Sequence, residues 1–420
     1  MSATAVGTGR EYFENNGRGQ VRQRRYVPMG LVGLLAVGLL AACAGGASSS
    51  SSPSSTAKGS AKKSPYVIGV MADRTGADAT TGVAQLEGID FYVHQINAHG
   101  GVDGHDLQLD VCDSASLPTG ATACAARLQD VPTHIVTLQG GLPPALAAEA
   151  VLNNQDLMPS VIPVLAPRAT TSAFQVPPLE AAHIVPLIAL LKGAGIATIG
   201  VMATDDASGT AQTASITSGA TAAGMHVVTK QMAASATDVT PQLVSLKQAG
   251  AQVIFVAALG TSAAAVLEGA SALNLGLPIV LGAGAVTNAF LHSLPTGVPP
   301  HLYGLSDFVP SAAGASQHAA WESFLKQYRA FAHSPADEQA VTSYEVGCLV
   351  SSVLAATGGS GNVGAMVHYL KTGGGVPCLG FTIQFNNPAI NAGDGGPVAV
   401  AVAGSTASQG WVSVAGSLKS

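Results

Sequence analysis

The sequence predicts an α/β protein built from two lobes, each a doubly wound parallel sheet. The length of 420 residues exceeds that of a single typical domain. The composition, 47% hydrophobic and 10% charged, is typical of a globular chain rather than a disordered one. Short apolar runs alternate with longer segments of helical period in two separate blocks. This alternation indicates βαβ units and therefore parallel sheets.

The first block begins at Tyr66. Its predicted strands are YVIGVM, LQLDV and HIVTL, and its predicted helices cover 83–98, 119–131 and 143–154. The strands are continuous apolar runs, as expected where helices cover both faces of a parallel sheet.

The second block begins at residue 196. Its strands are predicted at 196–202, 226–228, 253–257 and 278–282, and its helices near 209–223, 239–249 and 261–274. Beyond it lie a strand at 302–306, helices near 316–332, 338–356 and 362–371, and an antiparallel stretch around 381–385 and 397–404. Ligands of open α/β sheets bind beyond the carboxyl ends of the strands. The loops of interest are therefore 72–82, 139–144, 203–208, 258–262 and 283–288.

The first 42 residues predict a lipoprotein signal peptide. Arginines precede the apolar run MGLVGLLAVGLL, which is shorter than the roughly 20 residues that span a bilayer. The following Leu40-Ala41-Ala42-Cys43 resembles the lipobox of bacterial lipoproteins, which implies lipidation of Cys43. Residues 43–65 are rich in serine and predict a flexible tether. We therefore expect an extracytoplasmic protein, held on the outer face of the cell membrane by its lipid anchor only.

Export places the other cysteines in an oxidising compartment, where disulfides form. Cys112, Cys124, Cys348 and Cys378 are even in number, and we predict the pairs 112–124 and 348–378. Buried free thiols remain the alternative. No CxxC or histidine-rich spacing indicates a metal, and we expect neither a metal nor a cofactor.

Charge and motifs exclude two classes of function. The formal net charge is −6 and no run of Lys or Arg occurs, so the footprint of a nucleic-acid-binding protein is lacking. The sequence contains no G-x-S-x-G, H-E-x-x-H, P-loop or dinucleotide glycine motif, and its histidines are scattered. We therefore do not expect an enzyme.

One segment carries a family resemblance. Residues 96–107, INAHGGVDGHDL, resemble the signature I-N-x-x-G-G-(I/V)-x-G-x-x-L of the leucine/isoleucine/valine-binding protein family, the type I periplasmic binding proteins. Gly100 and Gly101 are suited to end a helix with positive φ, and Gly104 to shape a tight turn into the second strand.

The resemblance implies a division into lobes and a function. Lobe 1 would comprise 66–178 and 302–376, and lobe 2 would comprise 179–301 and 377–420, joined by three hinge crossings. A monomer would capture a small molecule between its lobes and deliver it to the permease of an ABC importer.

The loops that match the ligand site of amino-acid-binding relatives depart from the family pattern. The usual serine is replaced by glycine in Gln139-Gly140-Gly141-Leu142-Pro143-Pro144, and the usual threonine is absent from 163–167. The acidic position that would hold an ammonium falls at Gly284. Since a buried charge without a partner is costly, a free α-amino acid is disfavoured. An apolar or amide-type ligand fits better, although a branched-chain amino acid or another small organic molecule stays open.

The ligand-binding candidates lie in these loops, except for Tyr344, which is on the predicted helix 338–356 and is expected near the hinge. They are Thr75, Gly140, Gly141, Leu142, Pro143, Asp205, Asp206, Thr261, Gly284, Thr287, Asn288 and Tyr344. The backbone N–H groups of Gly140 and Gly141 are suited to an anion. Each candidate has an alternative structural role, and Asp205 and Asp206 are natural helix caps. Trp321, Tyr328 and Phe331 share a helix face and are expected in the core.

A second binding function competes with transport. The same bilobed fold serves as the sensor of receptors, which usually carry a membrane helix after the sensor. The chain ends at Ser420 without such a helix, so transport is preferred. The alternative is a ligand-sensing lipoprotein that presents its bound molecule to a signalling partner.

Overall fold

A computed structural model describes residues 63–129, 135–153, 160–162, 172–176, 180–306, 315–385, 399–403 and 410–413. The predicted signal peptide, Cys43 and the predicted tether up to residue 62 lie outside the described residues, as does the segment 163–167.

The first half of the chain forms a five-stranded sheet in the order β2-β1-β3-β4-β5, and every pair of neighbours is parallel. The apolar run of β1 suits an interior strand, which pairs with β2 on one side and β3 on the other, and its Ile68 and Val70 are fully buried. The elements are β1 (Lys63–Ala72), α1 (Ala79–Ala98), β2 (His105–Asp113), α2 (Pro118–Gln129), β3 (Ile135–Gln139), α3 (Leu142–Asn153), β4 (Ser160–Ile162) and β5 (Ala173–Gln175).

A seven-stranded sheet follows in the order β14-β13-β10-β9-β8-β6-β7. Its strands β10, β9, β8, β6 and β7 are parallel, and β13 and β14 extend it in antiparallel fashion. The elements are α4 (Glu180–Gly193), β6 (Thr198–Thr204), α5 (Ala207–Ala222), β7 (His226–Met232), α6 (Thr240–Gln248), β8 (Val253–Ala257), α7 (Gly260–Ala272), β9 (Ile279–Leu281), α8 (Asn288–Ser293), β10 (Leu302–Ser306), β13 (Ala399–Ala403) and β14 (Trp411–Ser413).

Three helices and a small hairpin complete the first sheet's layer. They are α9 (Ala315–Ala332), α10 (Glu338–Thr357), α11 (Val363–Thr372), β11 (Val376–Cys378) and β12 (Phe381–Ile383). Helix α10 packs on α1 at close range, because Gly88 faces the backbone of Ala340 and Gly347 faces the ring of Tyr92. Among the described residues, α10 alone is long and apolar enough to cross a membrane, but most of that helix is buried in the core.

The structure places two segments differently from the expected lobe boundaries. Strand β10 was expected in lobe 1, but it pairs with β9 and β13 and belongs to the seven-stranded sheet. The β12 end of the hairpin was expected in lobe 2, but Ile383 packs in the hydrophobic core around β1 and α10. An apolar run signals a strand without specifying its sheet, and only the pairing decides that. We call the five-stranded sheet with its helices, α9 to α11 and the hairpin lobe 1, and the seven-stranded sheet with its helices lobe 2.

Local predictions from the sequence agree with the structure at three points. Gly100, Gly101 and Gly104 have φ values of 99°, 73° and 84°, as the turn signature predicts. Both predicted disulfides form, with Cα–Cα distances of 5.6 Å for Cys112–Cys124 and 5.9 Å for Cys348–Cys378. The aromatic side chains of α9 pack in the core against Phe91 and are not exposed as a ligand platform.

The strand order fixes where a ligand site can lie. In lobe 1 the order reverses between β1 and β3, and in lobe 2 it reverses between β6 and β8. At such reversal points the loops after adjacent strands separate in opposite directions and leave a crevice. The loops after β1, β3, β6 and β8 therefore line the crevices of the two sheets.

Candidate ligand-binding site

Loops of the two lobes meet directly at these crevices. The backbone N–H of Thr261, after β8, donates to the carbonyl of Ala77, after β1, at 3.1 Å. The hydroxyl of Thr81 donates to the carbonyl of Gly284, after β9, at 2.9 Å. Helix α3 of lobe 1 also contacts α5 of lobe 2. We call the region bounded by these contacts the interlobe site.

Asp73 lies at the base of the interlobe site, directly after β1. Its side chain is fully buried, accepts a hydrogen bond from the N–H of Gly141 at 2.7 Å, and accepts another from the hydroxyl of Ser114. Burial raises the pKa of Asp73 above its ordinary value, and these hydrogen bonds oppose the shift. A carboxylate of the protein therefore occupies the donor group that was predicted to bind an anionic ligand.

Gly140 completes this internal arrangement. Its N–H donates to the side-chain oxygen of Gln85, so neither predicted backbone donor is available. Its φ of 133° lies in the region that favours glycine, and a Cβ at this position would collide with the carboxylate of Asp73. The glycine that replaces the expected serine is thus required by the buried aspartate beside it.

Asp78, at the start of α1, brings a second carboxylate to the interlobe site. The carboxylate lies against Gly141, at the position where a Cβ would project. Burial, the charge of Asp73 and the charge of Asp206 together raise the pKa of Asp78 to about 7. Because Asp206 belongs to lobe 2, the two lobes present like charges to each other here.

Asp206 has the helix-capping role that was the alternative to ligand binding. Its carboxylate accepts from the N–H of Gly209 at 2.9 Å and from the hydroxyl of Thr204 at 2.9 Å, and so caps α5. Asp205 is exposed, and its backbone N–H donates to the carbonyl of Met232. Of these two candidate aspartates, Asp206 is the one whose charge raises the pKa of Asp78.

Other candidates have local roles. Thr75 is exposed, and its hydroxyl donates to the carboxylate of Asp113 at 2.9 Å, which closes the loop after β1. The hydroxyl of Tyr344 donates to Gln95 at 2.7 Å within an aromatic cluster of lobe 1. Leu142 is buried and Pro143 is half-buried at the start of α3.

Thr287 and Asn288 join the lobes at a second place. Thr287 caps α8 through the N–H of Phe290, and the N–H of Asn288 donates to the carboxylate of Asp337 at 2.7 Å. The same carboxylate caps α10 through the N–H of Ala340 at 3.1 Å. Asp337 is buried, and this burial is the main cause that raises its pKa to about 6. One aspartate of lobe 1 thus caps helices in both lobes.

Sequence reasoning missed four residues of the interlobe site, namely Asp73, Asp78, Thr81 and Gln85. The first three lie within the predicted ligand loop 72–82. A signal was present in Asp73, which directly follows the apolar strand β1 at the reversal of strand order, where ligand sites of open α/β sheets lie. Among the described residues, no group of three His, Cys, Asp or Glu residues is arranged to hold a metal ion.

Comparison with known families gives a match over most of the chain. A family model described as "Periplasmic binding protein" matches residues 65–398. No protein in a search of curated sequences matches significantly.

Solved structures share the fold at low sequence identity. The leucine-binding protein LivK of Thermotoga maritima superposes with a TM-score of 0.70 at 16% identity, over 80% of this chain and 95% of its own. The branched-chain amino acid-binding protein LivJ of Streptococcus pneumoniae, in complex with isoleucine, gives 0.69 at 18% identity, over 83% and 99%. A solute-binding protein of an ABC transporter from Rhodopseudomonas palustris, in complex with benzoate, gives 0.68 at 17% identity, over 84% and 98%.

Proposed function

The chain belongs to the periplasmic binding protein family, and we propose that it captures a small organic molecule in the interlobe site and delivers it to the permease of an ABC importer. A lipid on Cys43 would hold the folded part of the chain at the outer face of the cell membrane. Ligand binding would close the lobes around the chain crossings, because the closed state gives the ligand contacts with both lobes.

The proposal rests on direct hydrogen bonds between the two lobes beside the crevices of their sheets. Thr261 and Gly284 of lobe 2 bond to Ala77 and Thr81 of lobe 1. Ala77 lies in the loop after β1, and Thr81 lies in the first turn of α1. A molecule bound among these loops touches both lobes at once, which is the requirement for ligand-driven closure.

The solutes of similar proteins guide the first screen. The similar structures hold isoleucine in one case and benzoate in another, and both molecules carry a carboxylate. In this chain the N–H groups of Gly140 and Gly141 are bonded to Gln85 and Asp73. We therefore include amines, amides and carboxylates in the screen on equal terms.

A thermal-shift screen followed by calorimetric titration tests the capture of a solute. A true ligand at 100 times its dissociation constant stabilises the native state by about 2.7 kcal/mol. Saturable binding without turnover supports the proposal. Chemical conversion of the bound molecule, or the absence of binding by any small solute, contradicts it.

The anchor is tested separately in cells. We expect the protein to fractionate with membranes and the variant Cys43→Ser to be released, since the serine cannot accept a thioether-linked lipid. An unchanged membrane fraction for the variant contradicts the lipid anchor and leaves solute capture unaffected.

A further inference from the structure

We propose that the solute is an organic cation, whose ammonium or guanidinium group is held between Asp78 and Asp206, and not a carboxylate. This inference rests on the proposed function and names the ligand class of the same interlobe site.

Carboxylates converge on the site from both lobes. The carboxylate of Asp78 contacts Gly141. A Cβ built on Gly141 would lie 3.7 Å from Oδ2 of Asp73. Asp206 of lobe 2 acts electrostatically on Asp78. The charges that raise the pKa of Asp78 are those of Asp73 and Asp206, and both are acidic. The local potential is therefore negative and attracts cations.

The donors that a carboxylate ligand would need are already bonded within the protein. The N–H of Gly141 bonds to Asp73, and the N–H of Gly140 bonds to Gln85. An anionic head group would displace Asp73 or lie beside like charges, and both alternatives are unfavourable.

Two buried polar side chains of α5 support a polar ligand independently of the acidic groups. Ser208 lies in the first turn, two residues after Asp206, and is 5% exposed. Its hydroxyl has no hydrogen-bond partner among the described residues, so it is available to a ligand.

Gln212, one turn further along α5, adds an acceptor. It is 6% exposed, and its Nε2 donates to the carbonyl of Ala283 at 3.4 Å, beside the Gly284 carbonyl that joins the lobes. Its Oε1 has no hydrogen-bond partner among the described residues and lies against Gly282, at the position where a Cβ would project. Acceptors and carboxylates on both sides match the N–H groups of an ammonium or guanidinium ion.

The test is titration calorimetry at pH 8 with probes that share an alkyl chain and differ in head group. The matched set is 3-methylbutylamine, 4-methylpentanamide and 4-methylpentanoate, and putrescine and agmatine extend the cations. We expect at least one cation to bind about tenfold or more tightly than the acid. The variant Asp78→Asn should bind that cation at least about tenfold more weakly than the parent. The control Glu268→Gln removes an exposed charge on α7 of lobe 2 and should leave the affinity for the cation unchanged.

Other results have distinct meanings. Tighter binding of the acid than of every cation overturns the cationic ligand and leaves solute capture intact. Equal weakening by Asp78→Asn and Glu268→Gln also overturns it, because the effect would then be one of net charge. If no probe binds, mass spectrometry of molecules released from the purified protein decides. A released cation supports the inference, and a neutral or anionic solute overturns it. No released solute together with no saturable binding overturns the proposed function itself.

Discussion

Asp78 titrates in the physiological range because burial and the neighbouring charges of Asp73 and Asp206 raise its pKa to about 7. Its ordinary value is 3.8, so the folded protein holds this proton more tightly than the unfolded chain does. The stability that Asp78 contributes is fully present below pH 4 and is lost as the pH rises through about 7. A buried carboxylate beside like charges thus lowers stability at neutral pH, a cost that a bound cation would offset.

We predict that the ligand-free protein melts at a lower temperature at pH 8 than at pH 5. The variant Asp78→Asn should be more stable than the parent at pH 8 and should show a weaker pH dependence. Asp337, with a pKa raised to about 6, contributes in the same direction and remains in the variant. Calorimetric melting across this pH range measures both effects, and an Asp78→Asn variant less stable than the parent at pH 8 would contradict the assignment.

Gly140 has a φ of 133°, a backbone conformation that favours glycine over alanine. We expect Gly140→Ala to lower the free energy of unfolding by about 1–3 kcal/mol, because the methyl group meets the Asp73 carboxylate and φ is strained. Gly250→Ala is the matched control, since Gly250 also has a positive φ of 83° but open space around it. Urea denaturation compares the two, and equal losses would show that backbone strain alone is responsible.

At the scale of elements, each disulfide ties a helix to a strand of lobe 1. Cys112–Cys124 joins β2 to α2 over 12 residues of sequence, and Cys348–Cys378 joins α10 to β11 over 30. The second disulfide attaches the hairpin to the core helix that packs on α1. Because the hairpin has only two short strands, we expect it to depend on this link.

Replacing both Cys348 and Cys378 by serine should lower the free energy of unfolding by about 3–4 kcal/mol, from the closure of the longer loop. The corresponding change at Cys112 and Cys124 should cost about 3 kcal/mol. Guanidinium denaturation under oxidising conditions measures both variants. Hydrogen exchange should also show that the 348/378 change exposes β11 and β12 selectively, and uniform exposure across lobe 1 would contradict the role given to this link.

At the scale of the whole molecule, the lobes are joined by contacts that opening must break. The Thr81–Gly284 hydrogen bond is one of these contacts, and the Asn288–Asp337 bond is another. A ligand that favours the closed state gains apparent affinity from every contact made only in that state.

We predict that Thr81→Val shifts the lobes toward the open state and weakens ligand binding about 2–10-fold, because one cross-lobe hydrogen bond is lost. Small-angle X-ray scattering should show a smaller radius of gyration after ligand addition in the parent and a larger ligand-free radius in the variant. Thr122→Val, which removes a hydroxyl bond within α2, is the control that should leave both quantities unchanged. A ligand-independent radius in the parent would contradict closure.

Local patterns of the amino-acid sequence were enough to predict the alternation of strands and helices, the turn at Gly100 and Gly101, and the two cysteine pairs. These features follow from local patterns and short spacings, which act within one or two elements. Long-range packing was needed to place β10 in the second sheet and to bring Asp73 to the N–H of Gly141, 68 residues further along the chain. An apolar strand fits either sheet equally well. The direction of a buried side chain depends on loops brought together by packing, and neither choice is encoded by neighbouring residues alone.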